Sequence, residues 1–148
     1  MSLVRWNVPG VEKLAGASQV IAANATTAFD FGTPNDVDLT DSTYGYNPGD
    51  RLLVLLSATR AAGTTSTLTF TIQDADDSSG SIGTPATAVT SGTVPTFAAD
   101  SGAIHQSAVV AIKIQPDRPW VRINAVHGTA GTDSFQCHAT VLGVSSNA

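Results

Sequence analysis

TLTFTIQDADD (residues 67–77) decides the fold. Leu68, Phe70 and Ile72 alternate with Thr67, Thr69, Thr71 and Gln73. A period of two sends successive side chains to opposite faces, so this is a β-strand with one dry face and one wet one. The stretch then closes on Asp74, Asp76 and Asp77. Three carboxylates so close together pose the first question about function.

The same period extends on both sides. RLLVLLSAT (residues 51–59) sets Leu52, Val54 and Leu56 against Leu53 and Leu55, which reads as a central strand covered on both faces. SAVVAIKIQ (107–115), PWVRINAVH (119–127) and SFQCHATVL (134–142) follow as three further strands. Their connections, PDRP and GTAGTD, are short, which predicts an antiparallel meander. Between the two groups, residues 78–106 are rich in turn formers, with an edge strand expected near Val94 to Ala98 because Pro95 cannot donate to a ladder. Upstream, QVIAANATTAFDF (19–31) is a weak strand or strand pair, and residues 32–50 form a loop dense in Gly, Pro, Asn and Asp. Residues 1–18 show neither a helical nor a strand period and are broken by Pro9-Gly10. The reading is all-β: an extended N-terminal arm (1–18) and a single antiparallel β-sandwich (19–148), with jelly-roll and Ig-like topologies both open.

Composition narrows the function. Charged residues make up 13% of the 148, against roughly 25% in an average soluble domain. The net charge is −5, and the cations Arg5, Lys13, Arg51, Arg60, Lys113, Arg118 and Arg122 are scattered. No basic stripe follows a phosphate backbone, so nucleic acid is not an expected partner. The longest apolar run is LLVLL (52–56), far short of the roughly 20 residues that span a bilayer. Neither a membrane partner nor a signal peptide is expected, and synthesis in a cytoplasm is. Cys137 is the single cysteine, which rules out an internal disulfide. Between Phe135 and Ala139 it reads as a buried, inert thiol.

Each candidate chemistry meets a simpler explanation. Counted from Asp74, an EF-hand loop would need Gly at the sixth position and Glu at the twelfth; Ser79 and Pro85 stand there. No metal or cofactor is expected. Acid/base catalysis would need two carboxylates converging in a cleft with their pKa values driven apart, whereas a solvated turn whose side chains cap their own backbone accounts for these three. His105 falls in a loop, His127 at a strand end and His138 on a polar strand face, with no nucleophile elbow nearby. No catalytic residue is assigned and the chain is read as a non-enzyme. A sugar platform is the more serious alternative, and Tyr44, Tyr46 and Trp120 are its stacking candidates.

Two longer stretches, GDRLLVLLSATRAAGTTSTLTFTIQDADDSSG (49–80) and AVVAIKIQPDRPWVRINAVHGTAGTDSFQCHATVLG (108–143), resemble small virion structural proteins of tailed bacteriophages, of the capsid decoration or cement type. The resemblance rests on IQDADD at the end of one strand, the RPWVRINAV strand, and GTAGTDSF leading into a final strand that ends VLG. It implies a β-sandwich that binds the exterior of an assembled capsid and stabilises it. It further implies the major capsid protein as partner, a homotrimer at local threefold positions, and location in the virion. An arm that orders on binding and a trimer that engages several sites at once suit that task. Val4, Trp6 and Val8 in the arm, with Asp76 and Asp77 at the hairpin tip, are the expected capsid or subunit contacts. Another virion component, in the tail or connector, or a carbohydrate-binding or adhesive module is the alternative.

Overall fold

A computed structural model describes residues 11–22, 25–31, 36–39, 51–62, 67–88, 90–91, 96–97, 105–115, 117–128 and 134–144. Its strands are β1 (Val11–Ile21), β2 (Thr26–Ala28), β3 (Val37–Asp38), β4 (Arg51–Ala62), β5 (Leu68–Ala75), β6 (Ala86–Thr87), β7 (Thr90–Ser91), β8 (Thr96–Phe97), β9 (His105–Lys113), β10 (Trp120–His127) and β11 (Ser134–Val144). No helix occurs among the described residues.

The strands form two antiparallel sheets packed as a sandwich. The five-stranded sheet runs β1-β11-β4-β9-β7; the six-stranded one runs β2-β10-β5-β6, with β3 also paired to β10 and β8 to β5. With β3, β7 and β8 set aside, the remaining eight strands rank first, eighth, third, sixth in one sheet and second, seventh, fourth, fifth in the other. That interleaving is a jelly roll, and it excludes the Ig-like order, in which sequential strands pair as hairpins.

The period of two in TLTFTIQ holds: Leu68, Phe70 and Ile72 are 1% exposed or less. They face Ile123 and Ala125 of β10 along one register and Leu52, Val54 and Leu56 of β4 across the core. Phe29 stacks on Phe70 with ring centroids 6.1 Å apart. Cys137 is fully buried, and that burial pushes its thiol up to about 12.

Several expectations give way. β9, β10 and β11 do not form a meander, because the chain changes sheet at each connection. A period of two identifies the apolar face of a strand but not its neighbour. The tight turn closed by the Arg118 amide on the Gln115 carbonyl (3.3 Å) leads across the sandwich and not back along β9. The arm boundary also moves. Residues 11–18 belong to β1, which pairs with β11 from Val11↔Val144 to Ile21↔Phe135. Its inward residues include Ala15 and Ala17, too small to give the hydropathy contrast that marks a strand in sequence. Residues 1–10, with Val4, Trp6 and Val8, lie outside the described residues. The supposed strand 19–31 is the end of β1 plus β2, in opposite sheets. The edge strand expected around Pro95 corresponds to β8 on the flank of β5.

Two outcomes follow. Leu56→Ala, which opens a cavity at a residue 1% exposed, is expected to cost about 2–5 kcal/mol, read as a lowered urea midpoint at unchanged slope. A thiol reagent at about pH 8 should leave the native protein unlabelled and modify Cys137 once urea unfolds it; labelling of native protein at the rate of a free thiol would contradict the packing.

Candidate functional site

The aspartates resolve into three separate roles. Asp74 continues the inward register of β5 opposite Val121 and is 6% exposed. Its buried carboxylate is held by Arg118, whose Nε donates to Oδ1 while Nη2 donates to the Asp74 carbonyl (2.6 Å) and the Thr84 carbonyl (3.2 Å). The hydrogen bond to Asp74 raises the Arg118 pKa above its ordinary value. The expectation of a wholly solvated tip is therefore wrong for Asp74. Extending the alternation Leu68, Phe70, Ile72 by one step would have placed it inward, where it needs a cation.

Asp76 and Asp77 are exposed and cap their own loop. Asp76 Oδ1 accepts from the Thr84 amide (3.1 Å), and Asp77 from the Gly80 amide (3.2 Å). Gly83 permits the first contact, since a Cβ there would collide with the Asp76 carboxylate. Gly80 takes the left-handed φ of 83° that closes the turn. Asp77 Oδ1 also accepts from Trp120 Nε1 (2.9 Å). Trp120 is 1% exposed beneath this tip and offers no face to a sugar, which removes it as a stacking platform. Tyr44 and Tyr46 lie outside the described residues.

The outward face of the six-stranded sheet is occupied by internal polar contacts. Arg122 grips Asp36 as a fork, Nε to Oδ1 at 2.8 Å and Nη2 to Oδ2 at 2.9 Å, and this hydrogen-bonded pairing raises the Arg122 pKa. Asn124 Nδ2 donates to Gln73 Oε1 (2.8 Å) and to Thr71 Oγ1 (3.3 Å). His127 is buried, not superficial. Its Nδ1 lies 2.6 Å from the Gly128 carbonyl, so Nδ1 carries the proton, and its ring meets Phe135 edge-on at 5.2 Å. Among the described residues, no group of three or more His, Cys, Asp or Glu could hold a metal.

The five-stranded sheet is different. Its outward face is open, contrary to the reading of 51–59 as covered on both sides: Leu55 is 37%, Val109 64% and Val20 63% exposed. One row across the sheet reads Gly16, Thr140, Leu55, Val109, and the next Ser18, His138, Ser57, Ser107. Between these rows lies a cleft of about 480 Å³, lined by Leu55, Ser57, Ser107, Val109, His138 and Thr140. Beyond it, Gln136 Nε2 donates to Ser18 Oγ (2.7 Å), and Thr59 Oγ1 shares a 2.8 Å hydrogen bond with His105 Nδ1. His105 opens β9 and is not in a loop. Sequence reading missed this face because an apolar alternate set on a central strand looks the same whether it is covered or open.

No protein-family model and no curated protein matches the chain. Among solved structures it is similar to the CBM22-1 xylan-binding domain of Paenibacillus barcinonensis Xyn10C, at 9% identity and a TM-score of 0.53, over 94% of this chain and 99% of that one. It is also similar to the C-terminal family 22 carbohydrate binding module of Clostridium thermocellum Xyn10B, at 12% identity and a TM-score of 0.44, over 97% and 92%. A third is the carbohydrate binding module CBM6cm-2 of Cellvibrio mixtus lichenase 5A, solved with cellotriose, at 11% identity and a TM-score of 0.37, over 90% and 96%. With the first of these the chain shares a two-sheet β-sandwich fold along nearly its full length.

Proposed function

We propose that the protein is a non-catalytic binding module that holds a polysaccharide against the open face of its five-stranded sheet. The cleft on that face carries the reading. A pyranose offers hydroxyl groups that both donate and accept, set around apolar C–H surfaces. The cleft answers with the hydroxyls of Ser57, Ser107 and Thr140, which also do both, the imidazole of His138, and the aliphatic pair Leu55 and Val109. All of these side chains stand on paired strands, so the site is held in shape before the ligand arrives. With Trp120 buried, the aliphatic pair takes the place of an aromatic platform. The fold shared with a xylan-binding domain is consistent with this use.

A second reading keeps the virion role implied by the resemblance to phage decoration proteins. The observation in its favour is Val20, Leu55 and Val109 exposed on one sheet face, apolar surface that a protein partner would cover. In this reading the face docks on the major capsid protein or on a second subunit of a trimer, and the bound protein stabilises the shell.

Affinity electrophoresis through gels containing soluble xylan, mannan, β-glucan or polyuronate separates the two. Retardation in at least one gel is expected. Leu55→Asp should weaken it by about tenfold or more, since it buries an unpaired charge in the contact, while the urea midpoint stays close to that of the wild type. Passage through every gel without retardation, together with binding to capsids stripped of decoration protein, would overturn the first reading in favour of the second.

A further inference from the structure

Charge is divided unevenly between the two sheets. The described aspartates sit on or beside β2, β3, β5 and the turn before β10, all on the side of the six-stranded sheet. Outward on the five-stranded sheet stand Arg51 and Lys113, both exposed; Glu12 and Lys13 belong to the same sheet, on β1, at the registers of Gly143 and Leu142. A protein of net charge −5 thus places two exposed cations side by side on one sheet face.

Arg51 and Lys113 are also register partners across β4 and β9. Like charges directly opposite one another in an antiparallel pair destabilise it. Neither of the ion pairs formed among the described residues, Arg118 with Asp74 and Arg122 with Asp36, includes either of these cations. A local conflict of this kind, left in place on an otherwise consistent strand pair, marks a surface shaped by something outside the chain. An anion bridging the two would convert the repulsion into two favourable contacts.

The pair is collinear with the cleft. Along β4 the outward residues run Arg51, Leu53, Leu55, Ser57, Thr59, and along β9 they run Lys113, Ala111, Val109, Ser107, His105. The cations therefore lie about 13 Å from the Leu55–Val109 row at the strand rise. A polymer lying along the strands, and long enough to fill the cleft, extends over them.

Resting on the glycan reading of this face, we infer that its ligand is a polyanionic polysaccharide, a uronate-bearing chain with carboxylates that meet Arg51 and Lys113 while its hydroxyls occupy the cleft. Charge complementarity selects the carboxylates, and the hydroxyl lining favours a sugar over an acidic polypeptide.

The test compares de-esterified homogalacturonan with the same polymer fully methyl-esterified, which keeps the backbone and removes the charge, and adds polyglutamate as a charged non-sugar. De-esterified polymer is expected to bind about fivefold or more tightly than the ester at low salt, with the difference shrinking as sodium chloride rises. The double variant Arg51→Gln/Lys113→Gln should bring the two polymers to equal retention, and polyglutamate should bind no better than the ester. Equal binding of the two galacturonans by the wild type, or a preference that survives in the double variant, overturns the inference; xylan or glucan binding would leave the glycan reading standing. Polyglutamate bound as tightly as the uronate overturns it in favour of an acidic protein partner. If no polysaccharide of any charge is retained, the glycan reading itself falls.

Discussion

β4 has to keep one face dry while bonding on both edges. Leu52, Val54, Leu56 and Ala58 are 4% exposed or less, and β11 and β9 flank the strand along its length. Seating those four residues against the opposing sheet drives the fold, because burial of this aliphatic surface is the largest favourable contribution available to a chain with so few charges. Once they point inward, the pleat leaves the others no choice: Leu53, Leu55, Ser57 and Thr59 point out. The proposed binding face is thus fixed by the core, and a one-residue slip of β4 would destroy both together.

The two sheets divide the polar work between them. On the six-stranded side, Arg118 with Asp74, Arg122 with Asp36, and Asn124 with Gln73 satisfy one another within the molecule. Two of these acids are buried, so each cation relieves a desolvation cost that would otherwise be severe. The hairpin tip is locked in the same way, through Asp76, Asp77 and the indole of Trp120. Side chains committed to internal contacts have little to offer a ligand. On the five-stranded side, the hydroxyls and aliphatics of the open face stand beside few such commitments among the described residues.

Fold class was legible wherever large apolar residues alternate with polar ones, as in TLTFTIQ, and Cys137 was placed correctly by the same logic. Strand partners were not legible, because pairing in a jelly roll joins residues remote in sequence and short connections do not report which sheet comes next. β1 escaped notice because Ala, Gly and Ser dominate it. The face of the site was misread for a different reason: hydropathy records what a residue prefers, and Leu55 prefers burial whether or not this chain supplies the cover. Asp74 fell in between. Its inward position followed from the period, but its cation, 44 residues away, did not.

The interleaved order has a consequence for how the molecule is born. Among the described strands β1 bonds only to β11, and β11 also closes the second edge of β4. β1, made before the other described strands, therefore waits for the last one described, its bonding groups served by water while everything between them is made. Until then neither β1 nor β4 has its full complement of partners, and assembly of this sheet is a late event dominated by distant pairings, the kind that folds slowly. A nascent chain halted before β11 would thus lack two strands of the five-stranded sheet, the missing one and the one stranded by its absence.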